Sequence, residues 1–75
     1  MEIDDPLDRM VANDDYDGAK GFLWWAVDVM DNKAMRDATA TSTSWMDDLK
    51  KIRRDPVLRK EALRLYLLWR IMGGP

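Results

Sequence analysis

The side chains best suited to chemistry in this sequence lie between Asn13 and Gly18. Three oxygen-bearing side chains alternate there before the glycine, which matches the first half of a calcium-binding loop. The second half does not match, because Lys20 stands at a usually apolar position and Trp24 replaces the bidentate glutamate. We therefore expect an acidic turn that caps the following helix, and no metal site.

Catalytic side chains of other kinds are scarce. The sequence contains no His and no Cys, so it lacks the commonest general base, the thiolate nucleophile, and the imidazole and thiolate ligands of zinc. Ser42 and Ser44 have no base nearby in sequence, and there is no glycine-rich phosphate loop. The sequence thus predicts a protein that is not an enzyme, with no catalytic residue and no cofactor.

Charge is distributed unevenly along the chain. Residues 1–48 carry twelve acidic and four basic side chains, whereas residues 49–75 carry eight basic and two acidic ones. Either the two halves attract each other within one fold, or they form surfaces of opposite sign, one of which meets a partner. The basic strip that a nucleic acid could contact consists of Lys50, Lys51, Arg53, Arg54 and Lys60.

Helix starts are marked by capping residues. Asp5-Pro6 and Asp55-Pro56 each place an acid before a proline, and Ser44 precedes an apolar pair and an acid. Gly73-Gly74 is suited to end the last helix. The segment from Ala38 to Ser44 contains poor helix formers and is the expected loop. The predicted helices cover about 6–12, 17–32, 33–38, 45–54 and 56–72.

The fold class that follows is all-α, a small bundle of four to five helices forming a single domain over residues 1–75. An acidic half, 1–48, precedes a basic helical half, 49–75. No apolar run reaches the roughly 20 residues that span a bilayer, and the acidic N-terminus is unlike a secretory signal. We expect a cytoplasmic protein that does not bind membranes.

Two of the predicted helices have apolar residues on more than one side. On the last helix a core stripe of Leu58, Ala62, Leu65, Trp69 and Met72, with Tyr66 beside it, faces away from a second stripe of Leu63, Leu67 and Ile71. The predicted helix over 17–32 has one broad apolar face, with Trp25 at its edge and Trp24 on the opposite side. The residues of that face are Ala19, Phe22, Leu23, Ala26, Val27, Val29 and Met30. On the predicted helix over 45–54, the inward-facing residues are Trp45, Leu49 and Ile52.

The second stripe of the last helix requires a cover. Burying a large aliphatic side chain contributes about 2 kcal/mol, so leaving three exposed forgoes roughly 6 kcal/mol, as much as a small domain's whole stability. Either the acidic half of the chain folds over this stripe, or another chain does. Trp24 has the same two alternatives, packing under the loop that follows Ala38 or anchoring a partner.

These observations predict a non-enzymatic protein-binding module, such as a small adaptor, assembly factor or inhibitor of the size that phages and mobile elements encode. Its partner is another protein or a second copy. The alternative is a dimeric nucleic-acid-binding regulator that uses the basic strip over 50–64. The residues expected to contact a protein partner are Trp24, Arg59, Leu63, Arg64, Leu67, Arg70 and Ile71.

Overall fold

A computed structural model describes residues 5–39 and 44–72. They form five α-helices: α1 (Pro6–Ala12), α2 (Tyr16–Trp24), α3 (Lys33–Thr39), α4 (Trp45–Arg54) and α5 (Pro56–Ile71). A π-helical turn, Trp25–Val29, continues α2. No strand occurs in this part of the chain. The predicted all-α class and the number of helices are therefore confirmed.

The helix starts follow the predicted caps. The Asp5 carboxylate accepts hydrogen bonds from the backbone N–H groups of Leu7 and Asp8 at the start of α1. Asp55 does the same at the start of α5, and the Ser44 hydroxyl accepts from the N–H of Asp47 in α4. Each cap satisfies donors that a helix cannot pair internally. The predicted cap at Gly73-Gly74 lies outside the described residues.

The core is centred on α4, which packs against each of the other four helices. Its fully buried side chains include Leu7, Phe22, Leu23, Met35, Leu49, Ile52 and Leu65. At one end, the rings of Phe22, Tyr66 and Trp69 pack against one another with centroids 5.5 to 5.7 Å apart, a favourable aromatic spacing. Trp45 and Leu58 are partly buried against the core. The predicted inward faces of α4 and α5 are thus largely those observed.

The structure corrects three of the predicted core positions. Val29 and Met30 are exposed instead of buried, because the π turn adds residues per turn and moves them off the face that Phe22 and Ala26 share. Met72 is 64% exposed. It is the C-cap of α5, one residue beyond the helix, so the 3.6-residue periodicity that placed it inward no longer applies.

The loops differ in part from the prediction. The second helix ends earlier than residue 32, because Asp31 has a left-handed backbone with φ of 50°. Of the expected loop over 38–44, Ala38 and Thr39 belong to α3 and Ser44 is the cap of α4, while residues 40–43 lie outside the described part. Within residues 5–39 and 44–72 no helix has the length and apolar character needed to cross a bilayer.

Candidate functional site

The strongest candidate for a functional surface is the side of α5 that faces away from the core. Leu67 is 64% exposed and Ile71 is 80% exposed, although Leu65 and Trp69 on the same helix are buried. Leu63, one turn before Leu67, is partly buried. The described part of the chain therefore covers Leu63 in part and leaves Leu67 and Ile71 facing outward.

Basic side chains share this surface. Lys60 and Arg64 lie on the same side of α5 as Leu63, Leu67 and Ile71, because residues three, four and seven apart share a face. Both basic residues are exposed. We call the surface formed by these five residues the α5 outer face.

Arg64 is held in place within this surface. Its Nε and Nη2 atoms donate to the two carboxylate oxygens of Glu61, at 3.1 and 2.6 Å. Glu61 also accepts a 2.7 Å hydrogen bond from the side-chain amide of Asn32. These donors, the Arg64 guanidinium first, hold the pKa of Glu61 below its ordinary value. The guanidinium is thus oriented before any partner arrives, while Lys60 forms no ion pair among the described residues.

Arg59 does not belong to this surface. Its Nη2 atom forms ion pairs with Asp5 and with Asp8, and its Nη1 atom donates to the backbone carbonyl of Arg53 at 3.2 Å. Arg53 pairs with Asp8 as well, at 3.0 Å. These contacts tie α1 to α4 and α5. The predicted contact residue Arg59 is therefore engaged inside the fold, and part of the charge asymmetry is resolved internally.

Arg70 lies at the edge of the surface. Its Nη1 atom donates to the Tyr66 hydroxyl at 3.3 Å. Together they line a cleft of about 430 Å³ between α1, α2 and α5, which Met10 and Trp69 also line. The rim of this cleft carries both acidic and basic side chains, so the cleft favours neither anionic nor cationic ligands.

Trp24 is half exposed and forms a separate feature. Residues 22 and 24 are about 200° apart around a helix, and Phe22 packs against α5. Trp24 therefore points away from α5 and cannot share one contact with Leu67. Its neighbours one turn away are the exposed Lys20 and Asp28.

The basic strip predicted for nucleic acid is interrupted. Arg53 forms an ion pair with Asp8. Lys50, Lys51 and Arg54 are exposed and, among the described residues, form no ion pair. Acidic side chains, Asp47 and Asp55, line the same recess. The strip is therefore shorter and less positive than the sequence indicated.

The calcium-like segment caps α2. The Asp15 carboxylate accepts the N–H of Gly18 at 3.0 Å. A Cβ on residue 18 would lie 2.3 Å from Asp15 Oδ2, so a larger residue there would require this carboxylate to shift. No three acidic side chains in the described ranges are close enough to share a cation.

Asp48 is a position that the sequence reasoning missed. It is buried in the first turn of α4, where the positive end of the helix dipole favours a carboxylate. Its place directly after exposed Asp47 gave no signal of burial.

Comparison with known proteins adds no assignment. The chain matches no family model, no curated protein and no solved structure.

Proposed function

We propose that this chain is a non-enzymatic protein-binding module that contacts its partner through the α5 outer face. The observation that carries the proposal is the exposure of Leu67 and Ile71 on a helix whose opposite side already completes the core. An apolar strip bordered by Lys60 and Arg64 is typical of a contact surface, because aliphatic side chains supply affinity and flanking charges select the partner.

The partner that fits this surface is an amphipathic helix with acidic flanks. From Lys60 to Ile71 the face covers twelve residues, a rise of about 16 Å or three helical turns. A partner helix with apolar residues at i, i+3 or i+4 and i+7 can pack along such a strip. Asp or Glu beside those positions would meet the exposed ammonium of Lys60 and the oriented guanidinium of Arg64.

Selection of peptides from a displayed library of helical 20-residue sequences tests this proposal. The native chain alone is the bait, and the recovered peptides are then tested for binding to Leu67→Asp. We expect recovered sequences with the apolar spacing given above and flanking Asp or Glu. Their affinity should fall about tenfold or more on Leu67→Asp, because the change removes a central apolar contact and adds a like charge.

Tyr16→Asp is the matched control. Tyr16 is also an exposed apolar side chain, but it lies in the first turn of α2 and outside the α5 outer face. Affinity for the recovered peptides should change less than about twofold in this variant. Peptides that bind native chain and Leu67→Asp equally well, or a selection that enriches nothing, would contradict the proposal.

Nucleic-acid binding is the second candidate, supported by the exposed Lys50, Lys51 and Arg54. A titration with duplex DNA at low salt distinguishes it, since phosphate contacts give binding that weakens steeply as salt rises. Because the nearby Asp47 and Asp55 oppose phosphate, we expect no binding. Tight, salt-sensitive binding that is lost in Lys51→Glu would favour this candidate instead.

A further inference from the structure

A second exposed apolar surface lies on α2 and the π turn. Trp24 is 50% exposed and Val29 is 55% exposed. Val29 follows Trp24 by five residues, and the π turn, with its i to i+5 hydrogen bonds, places such a pair on one side. Asp17, Lys20 and Asp28 lie on the same side at one or two turns from Trp24. We call these five residues the Trp24 face.

The Trp24 face carries two acids and one base, Asp17, Asp28 and Lys20, for a net charge of −1. The α5 outer face carries two bases, Lys60 and Arg64, of which Arg64 is paired with Glu61. Asp17 and Asp28 are exposed and form no ion pair among the described residues, so their charge is not neutralised within that part of the fold. Lys60 on the α5 outer face is likewise exposed and forms no ion pair among those residues. The molecule thus presents two apolar surfaces of opposite sign that point in different directions.

We propose that the Trp24 face of one copy docks on the α5 outer face of a second copy. Leu67 and Ile71 would cover the indole of Trp24 and the Val29 side chain. Lys60 and Arg64 would meet Asp17 and Asp28, and either cation over the indole face would add a cation–π contact. The inference rests on the proposed function, because it names an occupant of the same α5 surface.

The geometry makes this association head to tail. A symmetric pairing of two α5 outer faces would set Lys60 and Arg64 against their own copies, and like charges in contact are unfavourable. Pairing unlike faces avoids that repulsion, and it leaves one free face of each kind on every assembly. The assembly therefore grows in steps, and an acidic helix that binds the α5 outer face competes with it.

Solution mass measured by sedimentation equilibrium tests the proposal. Both apolar patches are small, so a contact between them is weak, and the protein concentration should therefore run from about 10 μM to about 1 mM at low salt. We expect the average mass of the native chain to rise about twofold or more across this range, and to rise less at high salt.

Two single-face variants supply the decisive comparison. Trp24→Ala and Leu67→Asp should each be monomeric alone, because each has lost one of the two faces. Mixed in equal amounts, they should form a dimer and nothing larger, since the α5 outer face of the first binds the Trp24 face of the second. Tyr16→Ala, at a half-exposed aromatic residue elsewhere on α2, should assemble as the native chain does.

A native chain that stays monomeric over the whole range would overturn the inference, as would a mixture of the two variants that stays monomeric. Assembly of either variant alone would also overturn it. If the native chain is monomeric and the selected acidic peptides still bind it, only the self-association is wrong and the proposed function stands. If the chain assembles as expected but no peptide is selected, the proposal of a foreign helical partner is wrong and the self-association stands.

Discussion

At the scale of single residues, the cluster of Asp5, Asp8, Arg53 and Arg59 joins the two oppositely charged parts of the chain. Asp5 is buried and both caps α1 and pairs with Arg59, which lies 54 positions away. The capping role was predictable from the Asp-Pro dipeptide alone. The pairing was not, because it depends on how α1 lies across α4 and α5, which local sequence does not encode.

The acid side of this cluster predicts a pH dependence of stability. Hydrogen bonds from Arg53, and then from Arg59, hold the pKa of Asp8 below its ordinary value despite some opposing desolvation. The unfolded chain therefore takes up a proton at higher pH than the folded one does. The contribution of Asp8 is complete above its unfolded pKa, near 4, and is lost as pH falls through the lower folded value.

Asp8→Asn tests this dependence. We expect the variant to melt about 2–5 °C below the native chain at neutral pH, a modest effect because the Asp8 side chain is partly exposed. The gap should narrow between about pH 5 and pH 3. Asp28→Asn, an exposed acid without an ion pair in the described residues, should follow the native curve. A gap that stays constant with pH would contradict the role given to Asp8.

At the scale of elements, the sequence predicted most helix bounds but not the π turn. Asp-Pro and Ser caps fix where α1, α4 and α5 begin, and they act locally. The π turn contains no Gly or Pro to mark it, and its five residues read as a continuation of α2. Periodicity of 3.6 therefore placed Val29 inward, and the exposed apolar partner of Trp24 went unpredicted.

Asn32 connects elements in a way that also depends on the fold. Its side-chain oxygen accepts the N–H of Met35 at 3.0 Å and so caps α3, while its amide donates to Glu61 in α5. Asn32→Ala removes both contacts. We expect the free energy of unfolding, measured in urea, to fall by about 1–2 kcal/mol.

Asn13→Ala is the control for this change. Asn13 also lies at a helix end, and it is exposed, but its side chain makes no hydrogen bond within the described residues. Its replacement should cost under about 0.5 kcal/mol. Equal losses in the two variants would show that Asn32 does not link α3 to α5.

At the scale of the whole molecule, the candidate site was predictable in part. The apolar residues of the α5 outer face follow from helical spacing, since Leu63, Leu67 and Ile71 are each four residues apart. Which neighbours cover them does not follow from spacing. Spacing also did not distinguish Arg59 from Lys60, because it does not show which acids lie nearby. Arg59 pairs with acids of α1 and its N-cap, whereas Lys60, the next residue, is exposed.

The proposed contact surface requires that α5 buries one side against the core and exposes the other. The unfolding free energies of Leu67→Asp and Leu65→Ala, measured in urea on dilute protein, test this directly. We predict that Leu67→Asp costs under about 1 kcal/mol, as an exposed helix position should. Leu65→Ala, at a buried position, should cost about 2–5 kcal/mol. A Leu67→Asp variant that loses as much stability as Leu65→Ala would show that the outer face is core, and would contradict the proposed contact surface.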